Sequence, residues 1–327
     1  MTNEAQSKQS EFPESASAHL PSIAVIIPCW NAEKWIARAI QSVLDQNYPN
    51  LEVIVIDDGS TDNSLEIIKS FGKSVYWETG PRRGANAARN WGFRLAVTQY
   101  VIFVDADDYL GGPYLAGLGA EAVNLSADLA IGRLVFEKEG QLVDHATYGV
   151  SDTPLSILKG LIGHKLIQTG QVLWSRSFLE QIGIWDEGLH RYQDLELAAR
   201  AVMRNPKLAF SADGCCFWHD HESDDRISAQ TDLDAFVSQL QVYDRLQEWL
   251  IGPRYDAECV ELLSRRYYAL AQRAFRFGCA RVGHDALSTY WRLGGRQHLG
   301  GMRHRIAASL LGLDAKEKMA NLVRRYT

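Results

Sequence analysis

Ile23-Ala24-Val25-Ile26-Ile27 is an unbroken apolar run closed by Pro28. Such a run suits a strand buried on both faces, as in a parallel sheet. The chain around it repeats the pattern. Trp35, Ile36, Ala39, Ile40, Val43 and Leu44 recur at helical spacing. Tyr48-Pro49-Asn50 marks a turn, and Val53-Ile54-Val55-Ile56 is a second buried strand. Asp57-Asp58-Gly59-Ser60 follows, with Thr61 and Asp62 placed to cap a helix carrying Leu65, Ile67 and Ile68. Val75-Tyr76-Trp77 reads as a short third strand, residues 84–97 as a helix, and Tyr100-Val101-Ile102-Phe103-Val104 as a fourth strand. Strands alternating with helices imply a doubly wound α/β sheet, in which ligands bind at the carboxyl ends of the strands. Pro28-Cys29-Trp30-Asn31, Asp57-Asp58-Gly59-Ser60 and Asp105-Ala106-Asp107-Asp108 should therefore crowd one edge. No GxGxxG follows the first strand, which disfavours a dinucleotide-binding domain.

The rest of the chain sets bounds. It has 327 residues, 46% hydrophobic and 23% charged, enough to bury a core without disulfides. A net charge of −6 argues against general nucleic-acid binding. The five cysteines are odd in number and lack CxxC spacing, so they read as thiols of a reducing compartment. Residues 1–21 are polar, without the apolar core of a signal peptide, and read as a disordered tail. No apolar run approaches the ~18–20 residues that span a bilayer, so the expected location is cytoplasmic. Leu129–Phe136 reads as a further strand, and a helix should start near Asp194. From residue 231 onward the periodicity is helical, which divides the chain into a tail (1–21), an α/β domain (22–230) and a helical C-terminal region (231–327).

Asp105, Asp107 and Asp108 put three carboxylates in four residues. Side chains alternate along a strand, so Asp105 and Asp107 should point to the same side. Each like-charge pair at 4 Å costs ~4 kcal/mol at an effective dielectric of 20. A divalent cation removes that cost, and hard oxygen ligands suit Mg2+ or Mn2+. A cap or solvated turn would explain one or two of the aspartates and leave the third unexplained. Asp57–Asp62 alone reads as well as a strand, turn and cap as it does a base-binding loop. Gly84–Gly92 opens a helix with small residues. Its N–H groups and Arg89 could face a diphosphate, or the small residues could simply allow close packing.

Together these segments resemble the family 2 glycosyltransferases. The motifs are Ile26-Ile27-Pro28-Cys29-Trp30-Asn31, Val55-Ile56-Asp57-Asp58-Gly59-Ser60-Thr61-Asp62, Ala88-Arg89-Asn90 and Phe103-Val104-Asp105-Ala106-Asp107-Asp108, in the family's order and spacing. The resemblance covers roughly residues 22–228 and implies a GT-A fold: a doubly wound mixed sheet, here with a C-terminal helical appendage. It implies an inverting, metal-dependent transfer from a nucleotide-sugar, usually a UDP-sugar, to a hydroxyl of a glycan or lipid-linked acceptor. Surface polysaccharide or lipopolysaccharide assembly is the setting it suggests. By the same resemblance Pro28, Asn31 and Glu33 line the base and ribose pocket, and Asp58 bonds the base. Arg89 sits near the donor, Asp105 lies near the ribose, and Asp107 binds the metal. Asp194, in Tyr192-Gln193-Asp194, takes the place of the catalytic base, although Gln193 departs from the family's Glu and an Asp at a helix start is also a common N-cap. Asp186 and Glu187 are fallback bases that better suit a structural turn. In Trp218-His219-Asp220-His221, His221 is the candidate for a further metal contact.

Two rivals remain open. A nucleotidyltransferase would show a Gly-rich basic loop after the first strand, which Pro28–Glu33 is not. A non-catalytic nucleotide- or sugar-binding module of the same fold would not need Asp105, Asp107 and Asp194 intact. The stretch 291–327 carries eight Lys and Arg against two Asp and Glu, a net of +6 in an acidic chain. With Leu310, Leu311, Leu313, Met319 and Leu322 it suits peripheral contact with an anionic membrane, or a solvated or partner-facing helix.

Overall fold

The computed structural model describes residues 20–145, 148–220, 233–251 and 256–326. A seven-stranded sheet forms its centre, in the order β10-β6-β9-β4-β1-β2-β3. Its strands are β1 (Ile23–Cys29), β2 (Leu51–Asp57), β3 (Tyr76–Thr79), β4 (Tyr100–Phe103), β6 (Leu129–Ile131), β9 (Val172–Ser175) and β10 (Leu208–Phe210). β3, β2, β1 and β4 run parallel, while β9 runs antiparallel to both β4 and β6. A second sheet, in the order β5-β11-β7-β8, comprises β5 (Tyr109–Gly111), β7 (Leu134–Lys138), β8 (Gln141–His145) and β11 (Cys215–Asp220).

All seven residues of β1 are buried, as an apolar run in mid-sheet requires. Ile23, Val25 and Ile27 face one layer, with α1 (Ile36–Leu44), α2 (Ser64–Ser70) and α4 (Tyr114–Asn124). Ala24 and Ile26 face the other, with α3 (Ala85–Leu95), α5 (Pro154–Ile162), α6 (Arg176–Ile182) and α7 (Gln193–Val202). That second core continues without a break into the C-terminal helices α8 (Leu233–Ile251), α9 (Ala257–Arg276) and α10 (Ala280–Arg292). Two more helices, α11 (Met302–Leu311) and α12 (Leu313–Tyr326), follow, and Glu317 on α12 is fully buried against Arg276 of α9.

Four local expectations change. Pro28 does not end β1; it pairs with Ile56 inside the strand. The carbonyl of Ile26 accepts from Val104 on the β4 side, and that of Cys29 from Asp58 on the β2 side. Pro28 shares the parity of Ile26, so its missing N–H faces the side where β4 has already stopped. Leu129–Phe136 is two strands in two sheets, β6 and β7, broken at Gly132. A Cβ there would lie 2.4 Å from the Tyr114 ring. The third strand starts at Tyr76 rather than Val75, and the helix of 84–97 ends at Leu95.

Candidate active site at the carboxyl ends of the strands

The first two strand-end loops are laced together. Asn31, in the left-handed region at φ 48, accepts from the Thr61 N–H at 2.8 Å, and its own N–H donates to Ser60 Oγ at 3.0 Å. Glu33 Oε2 accepts from the Asn63 N–H at 3.0 Å, while the Glu33 N–H donates to Asp62 at 3.0 Å. Burial opposes charge on Asp62, but hydrogen bonds from Ser64 and Glu33 outweigh it and hold its carboxyl below the usual range. Asp58 accepts from the Arg82 and Gly84 N–H groups, both at 2.7 Å, and so fixes the loop that leads into α3. Asn31, Glu33 and Asp58 thus lie in the interlaced loops that follow β1 and β2, with Pro28 buried near the end of β1.

The acidic segment forms differently from the expectation of strand alternation. β4 stops at Phe103, and residues 105–108 make a turn closed by the Asp108 N–H on the Asp105 carbonyl at 3.1 Å. That turn brings together carboxylate oxygens of Asp105, Asp107 and Asp108, all within 4.8 Å of one another. Asp108 is 2% exposed and accepts from the His219 N–H at 3.0 Å, which ties the turn to β11. Arg38 of α1 donates to the Asp107 carbonyl at 3.2 Å and pairs with Glu137 at 3.2 Å. Burial opposes charge on Glu137, but His219, Arg38 and Tyr109 hold its carboxyl below the usual range. The donor set is all hard oxygen, which fits Mg2+ or Mn2+ better than a thiolate-seeking metal.

Arg89 is 3% exposed on α3 and donates to Asp105 Oδ1 at 2.5 Å and to Asn86 Oδ1 at 3.0 Å. Its guanidinium lies 4.6 Å from the Trp185 ring centroid. Burial works against its charge, yet Asp105, Asp194 and Asp107 together raise its pKa. Arg89 Nε and Trp185 Nε1 are buried with no hydrogen-bond partner among the described residues.

Asp194 lies in the first turn of α7, not at the N-cap, which is Tyr192 in the left-handed region at φ 59. Asp194 Oδ1 accepts from Thr169 Oγ1 at 2.6 Å. Burial pushes its carboxyl above the usual range, and Asp105 adds to this; Arg89 and Thr169 pull it back. A small cavity lined by Ile167, Gln168, Thr169, Trp174, Trp185 and Leu197 adjoins it.

Asp186 and Glu187, the fallback bases, are both engaged in ion pairs. Asp186 pairs with Arg245 of α8 at 2.6 Å, and Glu187 with Arg83 at 3.0 Å. Burial opposes charge on Asp186, but the Gly188 N–H and Arg245 keep its carboxyl low. His221 lies outside the described residues. Its neighbour His219 bonds Glu137 through Nδ1 at 2.8 Å.

Sequence reasoning gave no role to Thr169, Arg38 or Asn86, nor to Asn90, which it quoted only within the Ala88-Arg89-Asn90 motif. The last two donate to the backbone of residues 185–189 and dock α3 against that loop. Their spacing of four on one helix face was the available signal. Thr169 and Arg38 had none, because their partners are 25 and 69 residues away.

Residues 24–180 match the family described as Glycosyl transferase family 2. Glycosyltransferase GlyA of Streptococcus pneumoniae is 36% identical over 128 residues, 38% of this chain and 18% of that protein. An uncharacterized glycosyltransferase of Haemophilus influenzae is 42% identical over 101 residues, 30% of this chain and 40% of that one. The poly(ribitol-phosphate) beta-glucosyltransferase of Bacillus spizizenii is 27% identical over 201 residues, 58% of this chain and 31% of that one. The chain thus spans less than half the length of these relatives. The crystal structure of S. aureus TarS 1–349 with UDP-GlcNAc superposes with a TM-score of 0.67 at 18% identity, covering 94% of this chain and 92% of that one. The GT-A architecture expected from the motifs is the fold found.

Proposed function

With residues 24–180 a family 2 glycosyltransferase domain, we propose that this protein is an inverting, metal-dependent hexosyltransferase acting on a UDP-sugar and a hydroxyl acceptor. The observation that carries the reading is the meeting of three groups at the strand ends: the three-carboxylate turn, buried Arg89 and partly buried Asp194. UDP-GlcNAc in TarS supports uridine as the base. The poly(ribitol-phosphate) beta-glucosyltransferase among the relatives supports a hydroxyl acceptor on a polymer.

Pro28, Asn31 and Glu33 wall the base and ribose pocket, with Asn31 and Glu33 locked by their bonds to residues 61 and 63. Asp58 uses one lone pair of each oxygen on the Arg82 and Gly84 N–H groups, leaving others for a base N–H. Asp107, with Asp105 and Asp108, would hold Mg2+ or Mn2+, joined by His221. Bound there, the cation supplies charge stabilisation to the leaving diphosphate. Arg89 keeps Asp105 in place and adds fixed positive charge behind it. Asp194 removes the proton from the acceptor hydroxyl as that oxygen attacks the anomeric carbon from the face opposite the nucleotide. Its raised pKa makes it a stronger base than an exposed aspartate.

The test is UDP release from UDP-GlcNAc and UDP-glucose. Asp194→Asn should lose nearly all turnover and keep donor binding. Turnover near wild type would refute the assignment of the base, and UDP binding without turnover in the wild type would favour a non-catalytic module.

We further infer a cytoplasmic enzyme resting on an anionic membrane. No described helix is long and apolar enough to cross one. Met302, Ile306 and Leu310 lie four residues apart on α11 and are 70%, 54% and 79% exposed. Arg296 and Arg303 are exposed close by in sequence, in the stretch that carries +6. Apolar residues with flanking cations suit an anionic interface. The chain should sediment with phosphatidylglycerol vesicles at low salt and be released by salt. No sedimentation would end this reading and leave the transferase reading intact.

A further inference from the structure

We propose that Thr169 is a positioning residue for Asp194, pinning one carboxylate oxygen so that the other meets the acceptor hydroxyl. This rests on Asp194 serving as the base. An aspartate turns easily about its last side-chain torsion, whose energy well is broad. A base that must take a proton along one line loses rate whenever neither oxygen is aimed. Thr169 Oγ1 donates to Asp194 Oδ1 at 2.6 Å, which assigns Oδ2 to the incoming hydroxyl.

A pin is useful only if it is itself fixed. Thr169 opens a single 3-10 turn, Thr169–Gln171, and is 5% exposed. The turn closes through the Gln168 N–H on Gln171 Oε1 at 2.9 Å and the Gln171 N–H on the Gln168 carbonyl at 3.0 Å. Gln171, fully buried, exchanges two bonds with Gly132: its amide donates at 3.2 Å, and its carbonyl accepts at 2.9 Å. Tyr114 donates to the Gly170 carbonyl at 3.0 Å. A Cβ at Gly170 would lie 2.5 Å from Cys216 Sγ, so the turn sits flush on β11. The turn that carries Thr169 is therefore held by Gly132 at the end of β6, by Tyr114 of α4 and by β11, none of which contains the base. Supported positions of this kind fix a catalytic group more tightly than a loop alone.

Arg89 on α3 and Asp105 on the acidic turn are the charged groups acting on Asp194, and α7 presents the base itself. Thr169 is a neutral donor among them. Its hydrogen bond favours the ionised form of the carboxylate without competing for metal or phosphate.

Thr169→Val keeps the shape and removes the hydroxyl, whereas Thr169→Ser keeps the hydroxyl. With UDP-GlcNAc as probe and Mn2+ present, Thr169→Val should lower kcat by about tenfold at unchanged donor KM. Its acid limb should move up by about one pH unit, because a donor to the charged form is lost. Thr169→Ser should restore both. Carboxyl 13C titration of Asp194, identified by its disappearance in Asp194→Asn, should rise in Thr169→Val independently of turnover. An unmoved acid limb and carboxyl titration in Thr169→Val, or failure of Thr169→Ser to restore kcat, would overturn the proposal. Should Asp194→Asn be inactive while Thr169→Val behaves as wild type, Thr169 alone is wrong. If Asp194→Asn turns over normally, the base assignment falls and takes this proposal with it.

Discussion

Replacing Arg89 with Met tests the electrostatic centre of the site. Met keeps much of the aliphatic stem and removes the guanidinium. Arg89 is 3% exposed, and its partner Asp105 is 30% exposed at 2.5 Å. Removing one member of a buried pair costs ~3–5 kcal/mol, because the other is left charged and unpaired. The partial hydration of Asp105 favours the low end, about 3 kcal/mol. Losing the contact with Trp185, at 4.6 Å, adds ~1 kcal/mol. The sum of about 4 kcal/mol, at ~1.5 °C per kcal/mol for a chain of 327 residues, is a fall in Tm of roughly 6 °C. In an Asp105→Asn background the same change should cost less, since no orphaned carboxylate remains there. The pH dependence has a definite sign. Without Arg89, the Asp194 carboxyl, already raised by burial, rises further. The folded state then keeps a proton that the unfolded chain has released, and stability falls as pH rises through that window. The deficit of Arg89→Met should be smaller at about pH 5 than at about pH 7.5. Thermal unfolding followed by circular dichroism measures all three. A Tm within about 2 °C of wild type at neutral pH, or the same loss with and without Asp105, would refute the reasoning.

Three further outcomes follow from single contacts. The acid limb of kcat/KM should lie above the ordinary aspartate range near about 4, because burial raises Asp194 and only its ionised form accepts a proton; a limb at or below that value would show a solvated base. Gly92→Ala should destabilise the fold by ~1–2 kcal/mol in urea unfolding. Its Cβ would fall 2.5 Å from Ile26 Cγ2 in the fully buried core, and that overpacking, ~1–3 kcal/mol, exceeds the gain of up to ~1 kcal/mol in helix propensity; a neutral or stabilising change would show that the core yields. Glu317→Gln leaves Arg276 and Lys316, at 2.9 and 2.8 Å, without their buried anion, and should open α12 to protease while donor turnover persists; unaltered cleavage would mean that apolar contacts alone dock the helix.

The parallel half of the sheet was legible because its information is local. β1, β2 and β4 are apolar runs followed at once by polar strand-end loops, so order, burial and the shared edge could all be read from the sequence. The antiparallel insertion of β9 between β4 and β6 could not, because Val172–Ser175 is too short to carry a periodic signal and its pairings reach back more than forty residues. The second sheet was hidden for the same reason. In the candidate site, the carboxylate cluster was legible and its geometry was not. Asp105, Asp107 and Asp108 do meet, by a turn rather than by strand alternation. Asp58 was read as a base contact, and the structure adds its grip on the loop before α3. Thr169 and Arg38 act only through partners that the fold brings from elsewhere.

The central claim is a donor site built on the carboxylate turn, and calorimetric titration with UDP tests it most directly. The account predicts binding in the presence of Mn2+, its loss on addition of EDTA, and its loss in Asp107→Ala. UDP binding indifferent to metal and to Asp107, or no binding of UDP at all, would contradict it.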